Sequence, residues 1–134
     1  MRARSRDELR RALELRGFSA DAVRRTLDAL VADGSLNENA ALASFLLGRE
    51  ERFSRSRLKT DLRRRGFPPD AVDAALGARS EDDDRALLES LFRRRDAELS
   101  RVPPEKRKKK VFDFLRRRGF SAAQIFDVMG EPEE

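Results

Sequence analysis

One phrase is written three times in this chain: ELRGF at 14–18, DLRRRGF at 61–67 and FLRRRGF at 114–120. Superimposing Gly17, Gly66 and Gly119 brings Leu13, Leu62 and Leu115 together, and with them Leu9, Leu58 and Val111 four residues earlier. After the turn, Val23, Val72 and Ile125 coincide, then Leu27, Leu76 and Met129. Apolar residues four apart on both sides of a glycine read as helix, tight turn, helix. A unit that recurs with a period near 50 residues cannot be folded as an arbitrary globule, because each copy must bury its apolar stripe against a neighbour. The pattern therefore predicts an all-α fold, an elongated array of tandem three-helix repeats.

Gly-Phe at each turn has a local physical cause. Helices often end on a left-handed residue, a position where glycine has no Cβ to strain. The apolar residue that follows folds back on the last turn, which is the place expected for Phe18, Phe67 and Phe120. Ser19 and Ser121 are placed to cap the next helix, and Gln124 completes a capping box with Ser121. In the middle copy Pro68-Pro69 opens the helix instead.

Two further helices lie between the copies. Gly34 stops one helix and Asn37 caps the next, whose buried stripe is Leu42, Phe45 and Leu46. Ser80 caps EDDDRALLESLFRRRDAEL, with Leu87, Leu88, Leu91 and Phe92 as its apolar face. The expectation is eight helices, no strands, and repeats over 1–52, 53–100 and 101–134, the first two of three helices and the last of two plus an acidic tail.

Composition removes most chemistry. The chain has no His, Cys, Tyr or Trp, so imidazole-based triads, thiol nucleophiles and most zinc sites are not available. No GxxxxGK[ST] or GxGxxG motif occurs. Glu81–Asp84 resembles a magnesium ligand set, but four acids in a capped first turn need no metal to explain them. No apolar run reaches the roughly 20 residues of a membrane span, and MRARSRDELRR has no signal-peptide apolar region. The reading is a non-enzymatic, cytoplasmic protein without cofactor, membrane or small-molecule substrate.

Charge is what remains. Charged residues make up 41% of the chain, with 30 Lys and Arg against 25 Asp and Glu. The excess is local: residues 101–118 hold nine basic residues against Glu105 and Asp113, or +7. Acids gather elsewhere, at 81–84 and at Glu131, Glu133 and Glu134. Arg16, Arg65 and Arg118 end helices, where a cation meets the negative end of the dipole, so they have a structural reason to be there. Lys106, Arg107, Lys108, Lys109 and Lys110 do not. Pro103-Pro104 should begin a helix, which puts all five at its positive end, where each exposed cation costs about 0.3–1 kcal/mol. Arg55 and Arg57 repeat the fault more mildly. Free N–H groups at a helix start together with several cations make a phosphate site. Lys110 and Arg117 share one face, opposite Val111, Phe114 and Leu115, and Arg63, Arg64 and Arg116 extend the basic set. Most of the nine Phe lie in the apolar stripes or after the turn glycines, and Phe53 is the one that neither pattern places.

SRDELRRALELRGFSADAVRRTLDAL, then GSLNENAALASF, then SRLKTDLRRRGFPPDAV and finally VFDFLRRRGFSAAQI together resemble the RecX family, bacterial regulators of the RecA recombinase. The likeness runs from about Ser5 to Met129. It implies tandem three-helix repeats and a binding protein with no catalytic residues. It further implies that the chain lies along the groove of the RecA filament on single-stranded DNA, repressing ATP hydrolysis and strand exchange. Two other readings of the charge stay open: a stand-alone basic module for nucleic acid, and an adaptor for acidic protein partners.

Overall fold

A computed structural model describes residues 5–34 and 36–130. Eight α-helices account for the described chain, without strands: α1 (Arg6–Leu15), α2 (Ala20–Ala32), α3 (Glu38–Leu46), α4 (Arg55–Arg64), α5 (Pro69–Leu76), α6 (Glu81–Glu98), α7 (Pro104–Arg117) and α8 (Ala122–Met129). The acidic residues Glu131, Glu133 and Glu134 lie outside the described residues.

The helix starts follow the local chemistry. Ser19 accepts from the Ala22 N–H, Asn37 from Ala40, and Ser121 and Gln124 form a reciprocal capping box. Ser80 does the same with Asp83, and Ser5 with Glu8. Pro69 and Pro104 open α5 and α7.

The three Gly-Phe turns share one geometry. Gly17, Gly66 and Gly119 have φ of +89°, +88° and +97°. In each, the Phe N–H reaches back to the leucine five residues earlier: Phe18 to Leu13, Phe67 to Leu62, Phe120 to Leu115, at 3.2–3.3 Å. The glycine N–H bonds the carbonyl three residues before it. This paired bonding satisfies the carbonyls that a helix end leaves open.

The chain forms two compact units, Met1–Leu47 with Lys59–Gly77, and Gly48–Leu58 with Ala78–Glu134. Helix α4 is divided between them. In the first unit Val23, Leu27 and Leu36 are buried with Leu9, Leu13 and Leu30 packed against them, and α3 meets α5. In the second, α6, α7 and α8 enclose Leu88, Leu91, Val111, Leu115, Phe120 and Ile125. The aligned repeat positions Leu58, Leu62, Val72, Leu76, Val111, Leu115 and Ile125 are all essentially inaccessible.

One expectation fails. Phe67 and Phe120 are buried, but Phe18 is 53% exposed. Its backbone makes the same turn, so the difference is tertiary. Helix starts cover the second and third turns, whereas nothing described lies within 4 Å of a Cβ built at Gly17.

Candidate anion-binding surface

Helix α7 presents the strongest cluster. Its helix begins at Pro104 without a side-chain cap, and Lys106, Lys108, Lys109 and Lys110 are exposed in its first two turns. Among the described residues, none of the four has an ion-pair partner. Arg107 behaves otherwise. It is half-buried, with Nε 3.3 Å from Asp96 and a second guanidinium nitrogen donating to the Ser100 carbonyl at 3.2 Å. So four of the five cations are solvent-facing and one ties α7 to the end of α6. Val111 and Leu115 are buried on the opposite face from Lys110 and Arg117, which are exposed.

The start of α4 is more engaged. The Arg55 backbone N–H donates to Asp84 Oδ1 at 2.9 Å. Arg57 donates to the Arg117 carbonyl at 2.7 Å and lies over the Phe53 ring at 5.3 Å. At the other end of α4, in the first unit, Arg63 and Arg64 are exposed without ion pairs among the described residues. Arg116 donates to the Phe120 carbonyl at 3.0 Å, and the Arg117 side chain points to solvent.

The second unit also holds a feature that the sequence pattern did not single out. Arg118 lies 5.2 Å from the Phe53 ring centre and 4.7 Å from Phe114. Arg95 lies over Phe114 at 5.0 Å, so cations and rings alternate from Arg95 through Phe114, Arg118 and Phe53 to Arg57. Planar guanidinium groups stack on ring faces as ammonium groups do not. Burial holds the Arg118 pKa below the ordinary arginine value, and Arg52, Arg95 and Arg117 push it the same way. Arg118 has no acid partner among the described residues, and Arg95 Nε is buried without a hydrogen bond. The clue in the sequence was Phe53, which no apolar stripe claimed.

Arg65, the counterpart of Arg118 in the first unit, is neutralised instead. It pairs with Glu8 at 3.2 Å and stacks on Phe45 at 4.9 Å. Arg16, the third counterpart, is exposed and unpaired among the described residues.

The acids at 81–84 form the first turn of α6. Asp83 accepts the Ser80 backbone N–H at 2.9 Å, which holds its carboxyl below the usual range, with the Ser80 side chain and then Arg79 assisting. Asp84 is buried, and its oxygens take the Arg55 N–H, Arg79 and Gln124. That set fixes helix ends to one another. Among the described residues no helix is long and apolar enough to cross a membrane.

Comparison with known proteins agrees with the helical fold. Residues 81–129, covering α6 to α8, match the family model "RecX, third three-helix domain". Regulatory protein RecX of Leptothrix cholodnii is 34% identical over 130 residues, covering 96% of this chain and 80% of the relative. That of Pelodictyon phaeoclathratiforme is 30% identical over 127 residues, covering 93% and 78%. Among solved structures, RecX from Lactobacillus salivarius superimposes with a TM-score of 0.70 at 16% identity, covering 94% of this chain and 83% of that one. A second structure of regulatory protein RecX gives 0.69 at 19%, this chain spanning 64% of its length. With helical repeats, glycine turns and relatives that agree along nearly the whole chain, this protein belongs to the RecX family of regulatory proteins.

Proposed function

We propose that the chain is a non-enzymatic inhibitor of the RecA recombinase, acting in the cytoplasm along the groove of the RecA filament on single-stranded DNA. There it represses ATP hydrolysis and strand exchange. The observation that carries this reading is the start of α7. Four exposed lysines, unpaired among the described residues, occupy the positive end of a helix, where folding alone disfavours them. The binding of an anionic surface offsets that cost. The free N–H groups of the first turn and the ammonium groups then converge on phosphate or on acidic recombinase side chains. In the same unit Arg116 and Arg117 add to the basic set, and Arg55 and Arg57 join it through their charge while holding their own structural bonds. Arg63 and Arg64 add exposed cations on the first unit.

Co-sedimentation with RecA filaments on single-stranded DNA tests this, with ATP hydrolysis measured in the same samples. The native chain should pellet with filament and lower the hydrolysis rate. Neutralising Lys106, Lys108, Lys109 and Lys110 to Gln should weaken both. An unchanged ATPase rate at saturating native protein overturns the reading. Equal binding to naked DNA, with a log–log salt slope of about −3 from about four phosphates, would instead favour a stand-alone nucleic-acid module.

A further inference from the structure

The three Gly-Phe turns are built alike, but among the described residues only two of them are occupied. On the turn at Gly66, the hydroxyl of Ser5 donates to the Arg65 carbonyl at 2.7 Å, Asp7 fills the space a Cβ would need, and Glu8 pairs with the Arg65 guanidinium at 3.2 Å. On the turn at Gly119, the backbone N–H of Ser54 donates to the Arg118 carbonyl at 2.8 Å, and Ser54 and Arg57 fill the same space. Each occupant is the capped start of a helix, and each covered phenylalanine is buried.

The turn at Gly17 has the same backbone and no occupant among the described residues. Among the described residues no group donates to the Arg16 carbonyl, and Arg16 has no acid partner. Phe18 is 53% exposed and Leu15 is 89% exposed. Leu15 is informative because its counterparts in the other copies are Arg64 and Arg117, both solvent-facing. Glu14 likewise replaces Arg63 and Arg116. The two turns that are already covered carry arginine on their open side. The uncovered turn carries an acid and a bare leucine, a surface suited to protein and unsuited to phosphate.

We propose that the Leu15–Phe18 turn is a docking site for the start of a helix in a partner protein, capped by Ser-x-x-Glu as α1 is. The cap hydroxyl donates to the Arg16 carbonyl, as Ser5 does to Arg65. The acid three residues on pairs with the Arg16 guanidinium, as Glu8 does with Arg65. The helix backbone closes over Gly17, which has no Cβ to obstruct it. Apolar side chains of the partner take Phe18 out of water, as Phe67 and Phe120 are at the occupied turns. The site is independent of the cations at 106–110 and of the reading built on them.

The probe is a synthetic peptide of residues 5–16, SRDELRRALELR, cross-linked on its solvent face to hold it helical. It is titrated into the isotope-labelled full chain and followed by amide chemical shifts. Saturable shifts at Arg16, Gly17 and Phe18 are expected, lost with Phe18→Ser and kept with Leu15→Arg, which restores the pattern of the two occupied copies. Both side chains are exposed, so the remaining amide spectrum should stay native and report that the variants fold. A peptide carrying Ser5→Ala and Glu8→Gln should bind at least about tenfold more weakly. Absence of shifts at 16–18 with millimolar peptide overturns the proposal. So do shifts confined to 65–67, or equal binding by the altered peptide.

Discussion

The hydroxyl of Ser5 meets the backbone carbonyl of Arg65 at 2.7 Å across 60 positions of sequence. Ser5 is fully buried, and the same oxygen accepts the Glu8 N–H that caps α1. One side chain thus ends a helix start and a helix end at once. Ser5→Ala removes both bonds and leaves the carbonyl without that partner, at a cost of about 1–2 kcal/mol. Urea unfolding followed by far-ultraviolet circular dichroism measures it, with a lower midpoint and an unchanged slope expected.

The glycines separate local strain from tertiary collision. Gly17, Gly66 and Gly119 all have left-handed backbone, so alanine is strained at each by roughly 1 kcal/mol. At Gly66 the added methyl also runs into Asp7, and at Gly119 into Ser54 and Arg57. Thermal denaturation should therefore show Gly66→Ala and Gly119→Ala well below Gly17→Ala, each losing at least about 1 kcal/mol more.

Charge placement gives opposite signs at the two ends of a helix. Replacing Lys106, Lys108, Lys109 and Lys110 with Gln removes cations from the positive end of α7 and should raise stability by about 1 kcal/mol in low salt. Replacing Arg63 and Arg64 removes cations from the last turn of α4, where they are favourable, and should lower it. Melting temperatures at two salt concentrations test this, since both effects shrink as salt screens them.

Arg118 stacks between Phe53 and Phe114 while other arginines repel it. Arg118→Lys keeps the charge and loses the planar contact, and should destabilise the fold by about 1 kcal/mol. Arg52→Gln removes a repelling neighbour and should raise the melting temperature.

Acid should loosen the start of α6 through Asp83. Its bond from the Ser80 N–H lowers the folded pKa below the unfolded one. The carboxylate therefore stabilises the fold above the unfolded value, about 4, and that contribution is lost as pH falls through the folded value. Asp83→Asn cannot titrate. The stability gap between native and variant should shrink as pH drops below about 4, measured by thermal melts across the acid range.

The helices, their caps and the glycine turns were legible from the residues because each depends on groups within a few positions of one another. Ser19, Asn37, Ser80 and Ser121 act on N–H groups three residues away, and each Phe N–H returns to a carbonyl five residues back. The positions of Lys106–Lys110 in the first turns of α7 follow from Pro103-Pro104 for the same reason. Tertiary structure decided which of those features are used up. Arg107 and its lysine neighbours have like charge and adjoining places, yet only Arg107 reaches Asp96. Arg65 meets Glu8, while Arg118 meets two rings and other cations. Phe67 and Phe120 are covered and Phe18 is open, though the backbone at all three is the same. Asp96, Glu8, Phe53 and the helix starts over Gly66 and Gly119 lie far along the chain or in another helix, and the periodicity of a helix carries no information about them.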